Sequence, residues 1–434
     1  MSRYSTNITP DSLSGIIFAL EGISNSLTIL NGPTGCKFYH SATSDSQLIR
    51  QLEFDPLNFP PVWYFGQPRV PCTYLDTDDY VYGSEDKLVE ILTYVRESVR
   101  FDLVSIVNSP GAALIGDDLE GIARRVLGED IPFVTIETPG FSSDVCHGHE
   151  IAVKEVMEQL SGLIDGGVER EPMSVNVLGL SLIQRYHMGD LMEIERLLGL
   201  CGIKVNCFVC AGSALEQIEQ IPRASLDIVI HPEFGCGSAE VLESRYGIPS
   251  YICDGAPIGF DATERFINDV CSSLGADPGA AIDDILRARA RSYAFISRVH
   301  SLTGMPKGVP YAIEGRCSEL CSYIEFLTGY MGMVPTAVSI LDEGSSGYRG
   351  NLENLLAGYG FSDALERDDV VDAPADLLFA SGSTIATAKS TGRSFGGIEI
   401  SLPTLGYYDV VPKTVLGPNG ALMLVEMVLN GLMY

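Results

Sequence analysis

The sequence predicts an α/β protein built mainly on parallel β-sheets. Three stretches of the chain share one order: an apolar β-rich run, a glycine-containing or polar turn, and a segment of helical periodicity that leads to the next apolar run. Hydrophobic residues make up 46% of the 434 residues and charged residues 20%, a composition typical of compact globular proteins. At about 100–200 residues per domain, a chain of this length forms more than one domain.

The first third contains two predicted strands. The apolar run 27–30 predicts a strand that ends in a turn with two glycines and a proline, at 31–35. The run 103–107 predicts another, and we expect the helix that follows it to begin near Asp117. We therefore expect a first α/β domain over residues 1–170.

The middle third continues with the same pattern. The run 175–180 predicts a strand, and 190–200 predicts a helix because its leucines and isoleucine recur on one face. The run 203–208 predicts the next strand. These elements indicate a second domain of the same class over residues 171–302.

The last third begins at a glycine- and proline-containing loop, 303–308, which marks a domain boundary. The predicted strand 309–315, helix 320–330 and strand 334–340 then repeat the middle third, so residues 303–434 are expected to be the same unit used again. Parallel sheets bind ligands outside the carboxyl ends of their strands. The residues that follow these strands are therefore the first candidates for a site.

The charge balance excludes two classes of partner. Asp and Glu number 57 against 28 Lys and Arg, which gives a formal net charge of −29. A surface this acidic repels phosphate backbones and anionic lipid. We therefore expect neither nucleic acid nor a membrane as a partner.

The eleven cysteines are an odd number spread along the chain, and the first residues contain no apolar signal segment. This pattern favours a reducing, cytoplasmic location over a disulfide framework. The apolar stretches 13–30 and 420–433 are interrupted by Glu and Asn side chains, so neither is expected to span a membrane.

The turn after the first strand carries the first candidate for chemistry. Cys36 follows two glycines and a proline, and backbone N–H groups of such a turn stabilise a thiolate. Spacing alone favours a half-buried structural thiol at this position. Cys72 lies at the end of a second apolar stretch, which also contains a proline. Thiolates bind iron–sulfur clusters, and ligands can be distant in sequence when subunits share a cluster.

Several motifs resemble the subunits of nitrogenase component 1 in their order and spacing. They are GPTGC at 32–36, DTDD at 76–79 closing on VYG at 81–83, LIGDDL at 114–119, TPGF at 138–141, and Gly189 with Asp190. The carboxyl end resembles the β-type subunit, with GST at 382–384, PTLGY at 403–407 and LGPNGA at 416–421. The resemblance covers nearly the whole chain.

The resemblance implies three Rossmann-like domains with mostly parallel sheets, and a role in a two-component reductase. In that superfamily a separate dimeric ATPase, itself an iron–sulfur protein, passes electrons to component 1. This chain has no G-x-x-x-x-G-K-[ST] sequence. We therefore expect no nucleotide on this chain, and a P-loop ATPase iron protein as its electron donor.

The resemblance also implies a bridging iron–sulfur cluster where two subunits meet. In nitrogenase each subunit supplies three cysteines, of which Cys36 matches the middle one. Pro10 and Ser109 stand where the other two are expected, which favours a four-iron cluster over the full eight-iron one. Cys72 is the second candidate ligand, and Gly35 is expected to lie beside the cofactor. Two chains would complete the coordination, as a homodimer, heterodimer or heterotetramer with a component 1-like chain.

A second metal cofactor is possible in the pocket of the family's α-type subunit, where a cysteine anchors the catalytic cluster. In this chain that position falls on His231, which can ligate metal or move protons near neutral pH. A strand-end histidine bonded to backbone is the alternative. Cys236, five residues later, is a further candidate, and a buried structural thiol is its simpler explanation.

Three functions remain open on the sequence. The leading one is a subunit of a nitrogenase-like reductase that receives electrons through a cluster held partly by Cys36 and delivers them to a bound substrate. The second is a scaffold on which a metal cofactor is assembled before transfer. The third is a β-type partner subunit without an active site of its own.

Overall fold

The protein is represented by a computed structural model. The residues that it describes are 10–36, 70–98, 101–137, 143–164, 168–341, 347–366, 369–402, 404–406 and 409–433. Within these ranges the strands form three parallel sheets, each drawn from one stretch of the chain. The parallel α/β class predicted from the sequence is confirmed. None of the described helices combines the length and the apolar character that a membrane span needs.

The first sheet has the order β1 (Ser26–Asn31), β2 (Leu103–Asn108), β3 (Phe133–Ile136). The helices of this part are α1 (Ser12–Glu21), α2 (Thr77–Tyr82), α3 (Glu85–Ser98), α4 (Leu119–Leu127) and α5 (Val145–Gln159). One face of the sheet packs against α3 and α4, and the other packs against α1 and α5. All residues of β1 and β2 are buried, which explains why their central runs, 27–30 and 103–107, are mostly apolar.

The second sheet has the order β5 (Lys204–Phe208), β4 (Ser174–Leu178), β6 (Leu226–Val229), β7 (Ser250–Ile252). Its helices are α6 (His187–Leu200), α7 (Leu215–Glu219), α8 (Pro232–Tyr246), α9 (Phe260–Leu274) and α10 (Gly279–Thr303). The helix expected at 190–200 therefore begins three residues earlier than its apolar pattern indicated. Helix α10 ends at Gly304, whose positive φ of 79° suits glycine at a helix end.

The third sheet has the order β11 (Gly396–Ser401), β10 (Leu377–Ser381), β8 (Pro310–Gly315), β9 (Val334–Ile340). Its helices are α11 (Cys317–Ile324), α12 (Arg349–Tyr359), α13 (Asp363–Glu366), α14 (Gly382–Ser390) and α15 (Gly417–Gly431). Counted along the chain, the second and third sheets share one strand order, two-one-three-four. The repeated unit expected from the sequence is therefore present in the fold, whereas the domain boundaries stay a prediction.

The helix predicted at 320–330 changes type half-way. It is an α-helix only to Ile324, and a π-helical turn follows over Glu325–Tyr330. The wider turn stacks the rings of Phe326 and Tyr330, with centroids 5.3 Å apart, and both meet the edge of Phe260. Packing against α9 thus explains a departure that sequence periodicity could not indicate.

The last helix, α15, crosses back onto the middle part of the chain, where it packs against α6, α9 and α10. Asp190 accepts hydrogen bonds from the Thr414 hydroxyl, at 2.6 Å, and from the Val415 N–H, at 3.0 Å. A Cβ on Gly189 would lie only 2.0 Å from the carbonyl oxygen of Lys413. The Gly189 and Asp190 motif therefore fastens the segment before α15 to the start of α6.

Candidate functional site

Cys36 and Cys72 both lie at the carboxyl end of β1. The elbow, residues 32–36, turns away from the strand and ends in a short helical turn that contains Cys36. Residues 70–75 run beside the end of β1: Leu30 donates to the carbonyl of Pro71 and accepts from Thr73, at 2.9 and 3.1 Å. A parallel bridge pairs Leu30 with Cys72. The structure therefore brings the two predicted cysteines to one end of one strand.

The two thiols differ in exposure. Cys72 is fully buried, whereas Cys36 is half-buried. Burial raises the pKa of the Cys36 thiol above its usual value, a hydrogen bond from Ser109 lowers it, and the nearby Asp11 raises it. Metal binding at Cys36 would therefore displace a proton. Of the two, Cys36 is the thiol that a group outside this chain can reach.

A buried polar network holds the elbow in place. The Asn31 amide donates to the hydroxyl of Ser84, at 2.9 Å, and to the side-chain oxygen of Asn108, at 2.8 Å. The Thr73 hydroxyl donates to Asn31, and Ser84 donates to the carboxylate of Asp117 at 2.6 Å. This network connects the end of β1, just before the elbow, to Asp117 of the acidic motif at 114–119. It accounts for the presence of that motif without assigning it acid–base chemistry.

The elbow is open on one side. A Cβ on Gly35 would meet no atom of the described residues within 4 Å. In the parts of the chain that the structure describes, no three His, Cys, Asp or Glu side chains are grouped to hold a metal ion. The donors present therefore fit a cluster only if a second chain completes its coordination. Gly35 and Cys72 stay predictions as contacts of that cluster.

Exposed apolar side chains lie on and around α2, and one of them, Tyr80, is close enough to Cys36 to interact with it electrostatically. They belong to α2 and to the two segments that flank it in the fold, and we name them the apolar rim: Tyr74, Tyr80, Val81, Tyr82 and Leu114. Tyr82 is 86% exposed and Leu114 is 78% exposed. Large apolar side chains grouped on a surface mark a protein interaction site. The half-buried thiol thus lies beside a surface suited to a partner chain.

A second candidate site is a cleft between the middle and last parts of the chain. Its cavity volume is about 30 Å³, and about 480 Å³ when the space open to solvent is counted as well. The charged side chains and the histidine that line it are Arg185, Asp190, His231, Glu314, Arg316 and Glu319. They lie at or beyond the carboxyl ends of β4, β6 and β8, the side of a parallel sheet where ligands bind.

His231 lies in this cleft at the start of α8. Its Nδ1 atom is 3.7 Å from Oε1 of Glu319 and accepts no hydrogen bond from the described residues. Burial lowers the pKa of His231 to about 4, so the imidazole is neutral at pH 7. A neutral imidazole is the form that binds metal or accepts a proton. Among the described residues, no backbone group is hydrogen-bonded to Nδ1 of His231.

Cys236 lies away from the cleft. It is on the second turn of α8 and packs against the core shared with the first sheet. Among the described residues, those that line the cleft do not include Cys236. Burial raises its pKa to about 11, and the nearby Glu150 adds to the shift. The thiolate form that binds metal is therefore disfavoured. The structure separates Cys236 from His231, which the sequence offered as alternatives for one site.

Arg185 was not a sequence candidate, yet it helps to build the cleft. Its guanidinium is buried and forms ion pairs with Glu399, at 3.1 Å, and with Asp409, at 3.0 Å. These partners are more than 200 residues away in sequence, so no local sequence motif predicts the ion pairs. Because both carboxylates neutralise its charge, Arg185 acts here as a structural cation that joins the middle and last parts of the chain.

Arg316 was also missed, although a signal existed. It follows β8 directly, at the position where the sequence analysis placed ligand-binding residues. Its guanidinium lies over the ring of Phe234, with 4.8 Å from Cζ to the centroid, and 4.0 Å from Glu319. Phe234 also contacts His149, whose ring packs edge-on with 5.4 Å between the two centroids. This stack fixes a positive charge in the wall of the cleft.

Known proteins resemble this chain along most of its length. It is 26% identical over 386 residues to the nitrogenase molybdenum-iron protein alpha chain of Methanothermobacter marburgensis, covering 83% of this chain and 75% of that one. It is 30% identical over 242 residues to a light-independent protochlorophyllide reductase subunit of Synechococcus sp. (strain WH7803). That alignment covers 52% of this chain and 44% of the relative, so the chain spans less than half the length of that protein.

The fold has a solved counterpart. The structure of nitrogenase Cp1 at pH 6.5 superposes with a TM-score of 0.79 at 17% identity, covering 100% of this chain and 94% of that chain. The sequence model of the nitrogenase component 1 type oxidoreductases matches residues 12–433. This chain therefore belongs to the nitrogenase component 1 type oxidoreductase family.

Proposed function

We propose that this chain is a subunit of a nitrogenase-like two-component reductase. It receives electrons from an ATP-dependent iron–sulfur partner through a cluster at a subunit interface and passes them to a substrate bound in the cleft. The observation that carries the proposal is Cys36, a half-buried thiol close to the apolar rim. Family membership supports the same class of activity.

The interface cluster needs ligands from two chains. Cys36 offers one thiol to the outside of the elbow, and Cys72 is buried at the same strand end. A four-iron cluster takes four thiolates, and two chains with two cysteines each would supply them once the segment around Cys72 moves to uncover that buried thiol. A cluster bound there would supply one-electron transfer. The apolar rim would bury its exposed side chains against the second chain and exclude water from Cys36.

In the cleft, the chain's own side chains can bind and orient a substrate. Neutral His231 presents an imidazole nitrogen, and the carboxylate of Glu319 lies 3.7 Å away. Arg316 places a positive charge on the same wall, held by Phe234. Burying this many ionisable groups costs stability, and such groups gather at functional sites. The cleft therefore favours a catalytic subunit over a β-type partner without a site.

All eleven cysteines lie in the described ranges, and each is present there as a thiol. Thiols in this number favour a reducing compartment such as the cytoplasm. The same setting protects an iron–sulfur cluster from oxidation. The location is thus part of the proposal rather than an independent assumption.

The first experiment measures iron in protein purified under argon, with and without the substitution Cys36→Ser. We expect the wild type to be brown and to contain iron and sulfide, and Cys36→Ser to lose most of both. Cys321→Ser is the matched control, because Cys321 is also partly exposed but lies on α11. Equal iron in wild type and Cys36→Ser would contradict the ligand assignment.

A second experiment separates the reductase from a cofactor scaffold. The chain, a component 1-like partner chain, an ATPase iron protein and a reductant are combined with candidate substrates. We expect product only with ATP present, and none after Cys36→Ser. Release of the metal group to an apo-protein, without ATP-dependent turnover, would favour the scaffold.

A further inference from the structure

Helix α10 is a basic segment in an acidic chain. Four arginines lie between residues 287 and 298, and the 29 residues from 285 to 313 contain no Asp or Glu. The whole chain, in contrast, has 57 acidic residues and a net charge of −29. A local reversal of sign attracts partners of the opposite charge. The exposed part of α10 is therefore a candidate interaction surface.

The fold leaves most of this helix on the surface. Helix α10 packs against α6, α9 and α15, and its buried residues are Ala281, Ile285 and Ser292. These three recur at helical spacing and form one inner stripe. The residues between them lie on the outer side of the helix.

Three arginines share the outer side. Arg287, Arg291 and Arg298 are spaced i, i+4 and i+11, so they form a stripe about 16 Å long. All three are exposed. Arg287 lies 3.4 Å from Asp284, whereas Arg291 and Arg298 form no ion pair within the ranges that the structure describes. At least two positive charges of the stripe are thus available to a partner.

Arg289, on the same helix, shows how this chain uses an arginine for structure. Its guanidinium pairs with Asp261 at 2.6 Å and with Glu264 at 3.4 Å, and it lies over the ring of Phe260. These contacts join α10 to α9. Arg291 and Arg298 have no comparable contacts among the described residues, so packing of α10 does not account for their charges.

Large apolar side chains lie on both sides of the arginine stripe. Leu286 and Tyr293, which are 50% and 67% exposed, flank it on one side, and Phe295, which is 56% exposed, flanks it on the other. Exposed apolar side chains grouped on a surface mark interaction sites, and aromatic residues and arginine are enriched in protein interfaces. We name these residues the α10 patch: Leu286, Arg287, Arg291, Tyr293, Phe295 and Arg298.

We propose that the α10 patch is a docking surface for an acidic segment of a partner protein. Carboxylates of that segment pair with the three arginines, as in other arginine clusters that recognise acidic motifs. Apolar side chains of the same segment cover Leu286, Tyr293 and Phe295. The proposal goes beyond the reductase function and does not depend on the cluster at Cys36.

Charge also favours this occupant over a second copy of the chain. In a two-fold symmetric contact a patch meets itself, which would bring the arginines of two copies together. A copy that docked through an acidic face would leave its own patch free and build an open filament. Nucleic acid and anionic lipid would extend past the patch onto a surface that repels them. A short acidic protein segment meets the arginines and the apolar flanks alone.

Binding of a defined peptide tests the proposal. The probe is a fluorescein-labelled amphipathic helix with glutamate on one stripe and leucine on the next, and the control peptide has glutamine in place of glutamate. We expect saturable binding of the glutamate peptide to the full chain, followed by fluorescence anisotropy, and weaker binding as salt screens the charges. Absence of saturable binding, or equal binding of the two peptides, would overturn the proposal.

Substitutions in the chain then locate the site. Arg291→Gln and Arg298→Gln should each weaken peptide binding roughly 1.5- to fivefold, the effect of one exposed ion pair. Tyr293→Ala should weaken it roughly fivefold or more, as an aromatic contact at the centre of an interface does. Arg124→Gln is the matched control, because Arg124 is also exposed but lies on α4 and is paired with Glu120. Equal effects of Arg124→Gln and Arg291→Gln would overturn the location.

The other occupants are tested with the same variants. Duplex DNA and phosphatidylglycerol vesicles are titrated in parallel, and binding of either that is tighter than the peptide and is lost in Arg291→Gln would overturn the choice of a protein. Self-association of the chain alone that is lost in Arg291→Gln, measured by sedimentation velocity, would overturn the acidic partner in favour of a second copy.

Iron content separates this inference from the proposed function. Arg291→Gln and Arg298→Gln should contain as much iron as the wild type when purified under argon. Failure of the peptide to bind would therefore leave the proposed function standing, and protein without iron would leave the docking surface standing.

Discussion

Replacing Asp190 tests how the last helix is fastened to the middle part of the chain. Three hydrogen bonds end on one oxygen, Oδ1, from the Thr414 hydroxyl at 2.6 Å and from the N–H groups of Val415 and Leu416 at 3.0 and 3.4 Å. Asp190→Ala removes that acceptor. In that variant the Thr414 hydroxyl can still donate to the Leu416 carbonyl at 3.2 Å. The Val415 N–H, in contrast, is left without its hydrogen-bond acceptor.

The expected loss follows from this count. One well-formed buried donor left without a partner costs about 1–3 kcal/mol, and the weaker bonds add to it, so Asp190→Ala should lower the free energy of unfolding by about 2–4 kcal/mol. Asp190→Asn keeps an oxygen at Oδ1 and should cost less than about 1 kcal/mol. Urea unfolding followed by circular dichroism measures both. Equal losses for Ala and Asn would refute the reasoning, because they differ in that acceptor.

Three further predictions concern charge and association. Burial raises the pKa of Asp190 from 3.8 to about 7, so between pH 4 and pH 7 the folded state binds more protons than the unfolded state. The stability of the wild type relative to Asp190→Asn should therefore fall as the pH rises from 4 to 7. Urea unfolding midpoints measured across this range check the prediction. Arg185→Ala should lower the free energy of unfolding by about 3–5 kcal/mol, because it leaves the buried carboxylate of Glu399 without its cation. A decrease of less than about 1 kcal/mol, measured by thermal unfolding, would contradict this. Leu114→Asp should weaken self-association or partner association in analytical ultracentrifugation, whereas Leu302→Asp, at 76% exposure against 78%, should not.

The strands were predictable because they are buried on both faces. Runs such as those of β1, β2 and β8 need no partner information to be seen, since each is short, apolar and followed by a glycine or polar turn. The π-helical turn at Glu325–Tyr330 was not predictable, because the rings that cause it pack against a helix about 60 residues away in sequence.

The candidate sites were predictable only in part. Cys36 follows the end of β1 and His231 lines the cleft, whereas their roles as ligands or pocket groups stay predictions. Cys236 is only five residues from His231, but helical geometry turns it toward the first part of the chain. Arg185 depends on carboxylates more than 200 residues distant, and such pairing is visible only once the chain is folded.

The way α15 returns to the middle part limits how the cleft can open. Its two walls belong to the middle and last parts, yet α15 belongs to the last part in sequence and is anchored on α6 through Asp190 and through Glu193, which accepts from the Asn419 amide at 2.8 Å. A hinge that moved the walls apart would have to break these bonds. A bulky ligand would thus enter the cleft either before α15 docks on the middle part or while α15 is detached from it. Hydrogen–deuterium exchange tests this: unchanged deuterium uptake at 414–431 while the ligand binds would rule out detachment.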